Sequence, residues 1–306
     1  MNMKKLLITL GLLGVVLNSC EPYEDYTEDF DKTTVYFATQ KPLRSIVSYN
    51  EMAFKVGVAL GGKRGNNKEE FADFVIDETL LTTVAGADVF TLLPESYYTL
   101  SNASKMIIPS GKFIGDATVT LNRDLFTNDT LSMANTYALP IRITNVSLDS
   151  IGGFDSDGTV LDLPKDYTIL VVKYISQYSG TYYHKGTQNE VDSSGTVINQ
   201  TVYNESDLIK NQTWGLTTID RNSVKTPGIG SNSSQNFIVN VNEADNTVSI
   251  GSPSGGVTNL VGSGTVNDDR SISLNYSYTF GDKNFEVEET LVLRRPPEED
   301  LGFEEW

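Results

Sequence analysis

The chain has 306 residues, and its 40 acidic residues outnumber 23 basic ones, which gives a formal net charge of −17 at pH 7. An acidic surface of this kind repels phosphate backbones and anionic lipid, so we expect no nucleic-acid partner. One cysteine cannot build a disulfide framework, and no motif predicts a cofactor. Neutral ligands and cations remain as candidate partners.

The first twenty residues have the parts of an export signal. Lys4 and Lys5 supply positive charge, Leu6 to Leu17 is apolar, and small residues lead to Cys20. The apolar run is too short for a helix that spans a bilayer, but it suits a signal peptide. A terminal cysteine predicts a lipoprotein signal peptide over residues 1–19 with lipidation of Cys20. We therefore expect membrane contact through this lipid anchor only.

Residues 20–32 follow as the lipidated cysteine and a short acidic segment that contains a proline. Such a composition cannot bury a core, which predicts a flexible tether. Beyond it, five segments in the first half of the chain have the alternation or the apolar runs of β-strands. They are Thr33 to Ala38, Phe54 to Leu60, Ala117 to Leu121, Leu139 to Ile143 and Thr168 to Ile175. Asn67 to Phe74 is the best helical candidate.

After Tyr174 the pattern changes to strands joined by short turns. Four clusters of turn-forming residues separate alternating segments, at Asp192 to Gly195, Ala244 to Asn246, Asn267 to Arg270 and Gly281 to Asn284. Ile272, Leu274, Tyr276, Tyr278 and Phe280 share one strand face, as do Phe237, Val239 and Val241, and then Phe285, Val287, Leu291 and Leu293. Glu289 falls on this last apolar face, so either it points into a polar interior or a bulge resets the register.

These patterns predict an all-β chain with two domains and a boundary near Ile175 to Tyr178. Residues 33–175 are expected to form an immunoglobulin-like β-sandwich. Residues 176–306 are expected to form an antiparallel β-barrel or a second sandwich.

Four short motifs lie within residues 30–175, namely Val35–Phe37, Leu93–Tyr98, Ile108–Gly111 and Tyr137–Ile141. These motifs and their order resemble a family of Bacteroides-type surface lipoproteins from glycan-utilisation loci. Tyr178–Tyr182 and Gly302–Trp306 resemble a C-terminal calycin-like or lipocalin-like barrel found in the same proteins. The resemblance implies an N-terminal domain of unknown function and capture of nutrients or attachment at the cell surface. It carries over no catalytic residue. The acidic stretch behind Cys20 resembles the family's signal for the outer face of the outer membrane; a solvated linker facing the periplasm is the alternative.

Candidate ligand-binding residues are few. Trp214 lies between polar residues outside the clearest strands, so it is either an aromatic platform for a sugar ring or a core tryptophan. Tyr182, Tyr183 and the sole histidine, His184, form the other candidate group. With one histidine and no thiol beyond Cys20, no metal site and no catalytic triad are expected.

Two loops have weaker signals. Asp155 to Gly158 resembles the start of a calcium loop, but the remaining ligands of an EF-hand are out of register, so a hairpin loop is the alternative. Gly61 to Gly65 lacks the Gly-Lys-Ser/Thr ending of a phosphate loop and is interpreted as a turn. We expect a non-enzymatic surface lipoprotein that binds carbohydrate or assists its capture, with an outer-membrane transport complex as a candidate partner. The alternative is a structural or adhesive protein that binds host or partner proteins; a glycoside hydrolase is a third reading.

Overall fold

The computed structural model describes residues 30–48, 52–161, 163–295 and 304–305. The predicted signal peptide, Cys20 and most of the tether lie outside the described residues. The described residues form two β-sheets and the segments that connect their strands. Among the described residues, no helix has the length and the apolar character needed to cross a bilayer.

The first sheet is built from the N-terminal half of the chain and runs in the order β10-β1-β3-β8-β7-β4-β9-β11-β2-β21. Short strands β5 and β6 pair at its sides, with β9 and β8. The strands are β1 (Thr34–Tyr36), β2 (Leu43–Ser48), β3 (Ala53–Gly61), β4 (Glu70–Ile76), β5 (Thr91–Leu92), β6 (Tyr98–Leu100), β7 (Lys105–Ile108), β8 (Ile114–Leu121), β9 (Tyr137–Val146), β10 (Ser150–Ile151), β11 (Tyr167–Ile175) and β21 (Glu304–Glu305).

The all-β prediction is confirmed, and the predicted sandwich takes the form of one curled mixed sheet, a half-barrel. Parallel pairs occur between β1 and β10, β2 and β11, and β5 and β9. Inward side chains of the predicted strands fill its core, among them Val56, Val58, Leu139 and Ile141. Strand β11 is buried along most of its length, as its apolar run predicts for a central strand.

The helix predicted over Asn67 to Phe74 is wrong, because most of that segment belongs to strand β4. Ala72 and Phe74 are buried in the core, and Asp73 between them is less buried, so the segment has the period of a strand. The α-helices described are α1 (Leu80–Thr83) and α2 (Arg123–Asn128), with 3₁₀ turns at Glu95–Tyr97, Thr130–Met133 and Leu208–Lys210.

The second sheet is a closed antiparallel barrel of eight strands, which confirms the barrel rather than a second sandwich. The order is β13-β12-β14-β15-β16-β17-β18-β19-β20, and pairing of β12 with β20 closes the ring while β13 stays outside it. The strands are β12 (Gly180–Val191), β13 (Val197–Tyr203), β14 (Gln212–Thr218), β15 (Ser223–Lys225), β16 (Ile238–Asn242), β17 (Thr247–Gly251), β18 (Val257–Val266), β19 (Ile272–Phe280) and β20 (Lys283–Leu293).

The four predicted turns all join consecutive strands of this second sheet, as expected. The connection between the sheets runs from Ile175, the end of β11, to Gly180, the start of β12. The short strand β21 returns to pair with β2 in the first sheet. The domain limits 33–175 and 176–306 stay a prediction.

Candidate functional site

The four residues predicted to bind a ligand lie together on adjacent barrel strands. Tyr182, Tyr183 and His184 are consecutive on β12, and Trp214 lies opposite Tyr182 on β14, inside a strand rather than outside one. Tyr182, His184 and Trp214 have exposed fractions of 1%, 2% and 3% and face the barrel interior. Tyr183 alternates to the other face and is half-buried. Three of the four therefore present no surface to a ligand outside the barrel.

A hydrogen-bonded cluster around Glu289 occupies the barrel interior. His184 Nε2 lies 2.8 Å from Glu289 Oε2, and Tyr203 donates to the same oxygen at 2.9 Å. Tyr276 donates to the other carboxylate oxygen at 2.9 Å. The registers of β20 with β19 and β12 are uninterrupted here, so Glu289 points into a polar interior and no bulge redirects it.

Ring contacts complete this interior. Trp214 stacks on His184 with 3.5 Å between ring centroids and 19° between ring planes, and Tyr203 lies on the histidine ring at 4.6 Å. The backbone N–H of Gly230 donates to the Tyr276 hydroxyl at 2.7 Å. Burial, followed by the nearby Glu289 charge, raises the pKa of both Tyr276 and Tyr203. The tyrosines are therefore neutral donors, and the cluster stabilises the barrel.

An open cleft of about 640 Å³ lies instead on the first sheet. It is lined by the segment Ala38–Lys41, by helix α1 and the two residues after it, and by Leu163 and Pro164. Arg142 on β9 and Tyr167 on β11 also line it, and the two are direct cross-strand partners. Its volume is in the range typical of sites for small ligands.

Two carboxylates hold the Arg142 side chain in place. Arg142 Nε donates to Asp77 at 2.6 Å and one terminal nitrogen donates to Asp166 at 2.5 Å. Hydrogen bonds from Thr79, followed by those from Arg142, lower the pKa of Asp77. The guanidinium group therefore carries its charge in a fixed orientation at the cleft, with a third of the side chain still exposed.

The Tyr167 ring supplies the aromatic surface of the cleft. It packs against a small apolar cluster that includes Leu80 from α1, and the Arg142 guanidinium carbon lies 5.9 Å from its centroid. Burial, and then the Asp166 charge, raise the pKa of its hydroxyl, so the group stays protonated. Sequence reasoning missed this site, because Arg142 lies inside the predicted strand Leu139 to Ile143 and nothing in the sequence pairs it with Tyr167.

A smaller recess of about 390 Å³ includes the predicted loop Asp155 to Gly158. Here the backbone N–H of Gly158 donates to the Asp155 carbonyl, and Lys32 binds the Asp155 carboxylate at 2.6 Å. These contacts are those of a hairpin loop. In the part of the chain that the structure describes, no three histidine, cysteine or acidic side chains are grouped so that they could hold a metal ion.

Comparisons with known proteins support the fold. A family model described as "-like, N-terminal domain" matches residues 30–150, and no curated protein matches the chain. A Bacteroides ovatus protein of unknown function superposes with a TM-score of 0.75 at 22% identity, over 90% of this chain and 98% of the other. Two parts of the predicted resemblance are thus confirmed. Residues 30–150 match the model of an N-terminal domain, and the fold is similar to that of a Bacteroides protein of unknown function.

Two further solved structures superpose only weakly. A "putative carbohydrate binding protein" from Bacteroides ovatus ATCC 8483 has a TM-score of 0.30 at 14% identity, over 72% of this chain and 69% of the other. Bacteroides thetaiotamicron EndoBT-3987 with a Man5GlcNAc product has a TM-score of 0.31 at 21% identity, over 45% of this chain and 31% of the other.

Proposed function

We propose that this chain is a lipid-anchored protein of the outer cell surface that binds carbohydrate in the cleft of the first sheet and does no chemistry on it. The observation that carries the proposal is the pairing of Tyr167 with the immobilised Arg142 in one open cleft. Capture of glycans for an outer-membrane transport complex is the role that fits such a protein in the family it resembles.

Sugar rings have apolar C–H faces and polar edges, so a binding site needs an aromatic face beside fixed hydrogen-bonding groups. Tyr167 offers the face, and Arg142 offers donors whose orientation is set before a ligand arrives. Thr39, Gln40 and Thr83 add polar side chains around the same cleft. Groups held in advance lose little entropy on binding, which favours affinity.

The two acids that hold the Arg142 side chain, which do not themselves line the cleft, support a binding role rather than hydrolysis. Glycosidases need one carboxylic acid whose pKa is raised so that it can protonate the leaving group. The pKa of Asp77 is lowered, and both Asp77 and Asp166 are engaged by Arg142. Asp77 is therefore a hydrogen-bond acceptor rather than a proton donor in this arrangement.

Glycan binding is tested with the chain from Glu21 to Trp306 on a broad glycan array, followed by titration calorimetry with the glycans retained. We expect Tyr167→Ala to weaken binding by about tenfold or more, because the stacking surface is lost. Ala85→Trp, a change at an exposed residue of the cleft wall, is expected to block binding without loss of stability. Tyr183→Ala on the barrel is the matched control and should bind normally.

If Tyr183→Ala lost affinity for the glycan while both cleft variants bound it normally, the binding site would lie on the barrel. Binding to no glycan at all, by a folded protein, would contradict the proposed function. Glycans recovered after incubation should be unchanged in mass, since no chemistry is expected.

The proposed attachment to the membrane through Cys20 can be tested separately from glycan binding. Cys20→Ala removes the thiol that carries the acyl chains, and these chains supply the membrane affinity of an otherwise acidic protein. We expect the variant to lose lipid labelling and to leave the membrane fraction of the native host, while its glycan affinity stays unchanged. Membrane retention at the wild-type level would contradict the predicted anchor.

A further inference from the structure

Strand β13 is a long sheet edge that the barrel does not use. It pairs on one side with β12, and within the described residues its other side pairs with no strand. Its side chains are open to solvent from Val197 to Val202, including 61% of both Ile198 and Val202. Only Tyr203, at its end, turns inward to bond Glu289. A row of free backbone N–H and C=O groups is a template for another strand.

The composition of this edge differs from that of a protected one. Exposed edges are usually blunted by charges, by proline or by very short length. The first sheet ends on β10 and β21, which have two residues each. Strand β13 has seven residues, Val-Ile-Asn-Gln-Thr-Val-Tyr, with no charge, no proline and no glycine. A bulge at Ile198, opposite Glu190 and Val191, is its one irregularity.

The absence of charge along β13 permits contact between two copies at this edge. Identical copies with a net charge of −17 repel each other. The stretch from Ser193 to Asn204 has no charged residue, and the flanking acids, Asp192 and Glu205, lie outside it. An interface at β13 therefore brings together an uncharged stretch of each acidic chain.

The sequence of the edge is also complementary to itself. In an antiparallel pair centred on Gln200, Ile198 lies opposite Val202 of the second copy, and Asn199 lies opposite Thr201 of the second copy. Apolar residues thus meet apolar residues and polar residues meet polar ones, which is the pairing that stabilises antiparallel strands. We infer that two copies of this chain associate through antiparallel pairing of their β13 strands. Because β13 is the one long free edge among the strands that the structure describes, the pairing closes as a dimer with twofold symmetry.

Dimer formation is tested by sedimentation equilibrium on the chain from Glu21 to Trp306, which keeps all described residues. Measurements run up to about 1 mM protein at about 0.15 M salt, where separated charges are largely screened. We expect a species of twice the chain mass. Val202→Lys should raise the dissociation constant by about tenfold or more, since two like charges enter the pair. Val261→Lys, at a barrel residue that is 69% exposed outside β13, should leave it unchanged.

Disulfide trapping locates the contact. The chain from Glu21 onward has no cysteine, so Gln200→Cys provides a single thiol at the centre of the expected pair. Under mild oxidation it should form a covalent dimer at least about tenfold faster than Val261→Cys. A monomer throughout the concentration range, or equal trapping rates for the two variants, overturns the inference. The cleft lies on the other sheet, so loss of glycan binding and loss of dimerisation are independent results.

Discussion

Replacing Trp214 by alanine is expected to lower the free energy of unfolding by about 3–5 kcal/mol, the cost of a large cavity in a packed core. The Trp214 ring is almost fully buried and stacks on His184, so the change also removes the ring that covers one face of this histidine. In a domain of this size we expect the melting temperature to fall by roughly 10 °C. Thermal and urea denaturation, followed by circular dichroism, measure both quantities.

The control is Tyr183→Ala, at a half-buried residue on the other face of β12. It removes an aromatic ring from the same pair of strands without opening the barrel interior. We therefore expect a smaller decrease in the free energy of unfolding. If Trp214→Ala melted like the wild type and lost its affinity for a glycan, Trp214 would be a ligand platform and the core assignment would be wrong.

The strands of this fold are predictable from sequence because alternation reports which side chains are buried. Leu139, Ile141 and Ile143 point inward as their spacing indicates. Alternation does not report which strands are neighbours. The parallel pairing of β2 with β11 joins segments more than a hundred residues apart, and it turns an expected sandwich into a curled mixed sheet. Such pairings depend on the packing of the whole sheet, so local pattern cannot supply them.

The barrel interior was partly visible in the sequence. Glu289 on an otherwise apolar face indicated either a polar interior or a bulge, and the uninterrupted registers in the structure leave the polar interior. Its partner His184 is 105 residues away along the chain, and only closure of β12 on β20 brings them together. The cleft had no comparable signal, because neither Arg142 nor Tyr167 interrupts the pattern of its strand.

The second large effect is expected at Glu289. Replacing it by alanine removes the shared acceptor of His184, Tyr203 and Tyr276, and it leaves three donors buried without a partner. Breaking a buried pair of this kind costs about 3–5 kcal/mol, because the remaining groups have lost water without regaining a bond. Glu289→Gln keeps the shape of the side chain and one acceptor oxygen, so it should lower the free energy of unfolding by less than Glu289→Ala.

A double-mutant cycle separates the pair from the rest of the cluster. We expect Glu289→Ala and His184→Ala together to cost less than the sum of the single changes, with a coupling of roughly 1–3 kcal/mol, because the second change removes a group that the first had already left unpaired. Additive losses would show that the 2.8 Å contact contributes little and that the hydroxyls of Tyr203 and Tyr276 hold the carboxylate. Tyr203→Phe then becomes the informative variant. It removes one donor to Glu289 from the end of β13, and it should destabilise the barrel by about 1 kcal/mol while the free edge of that strand keeps its backbone groups.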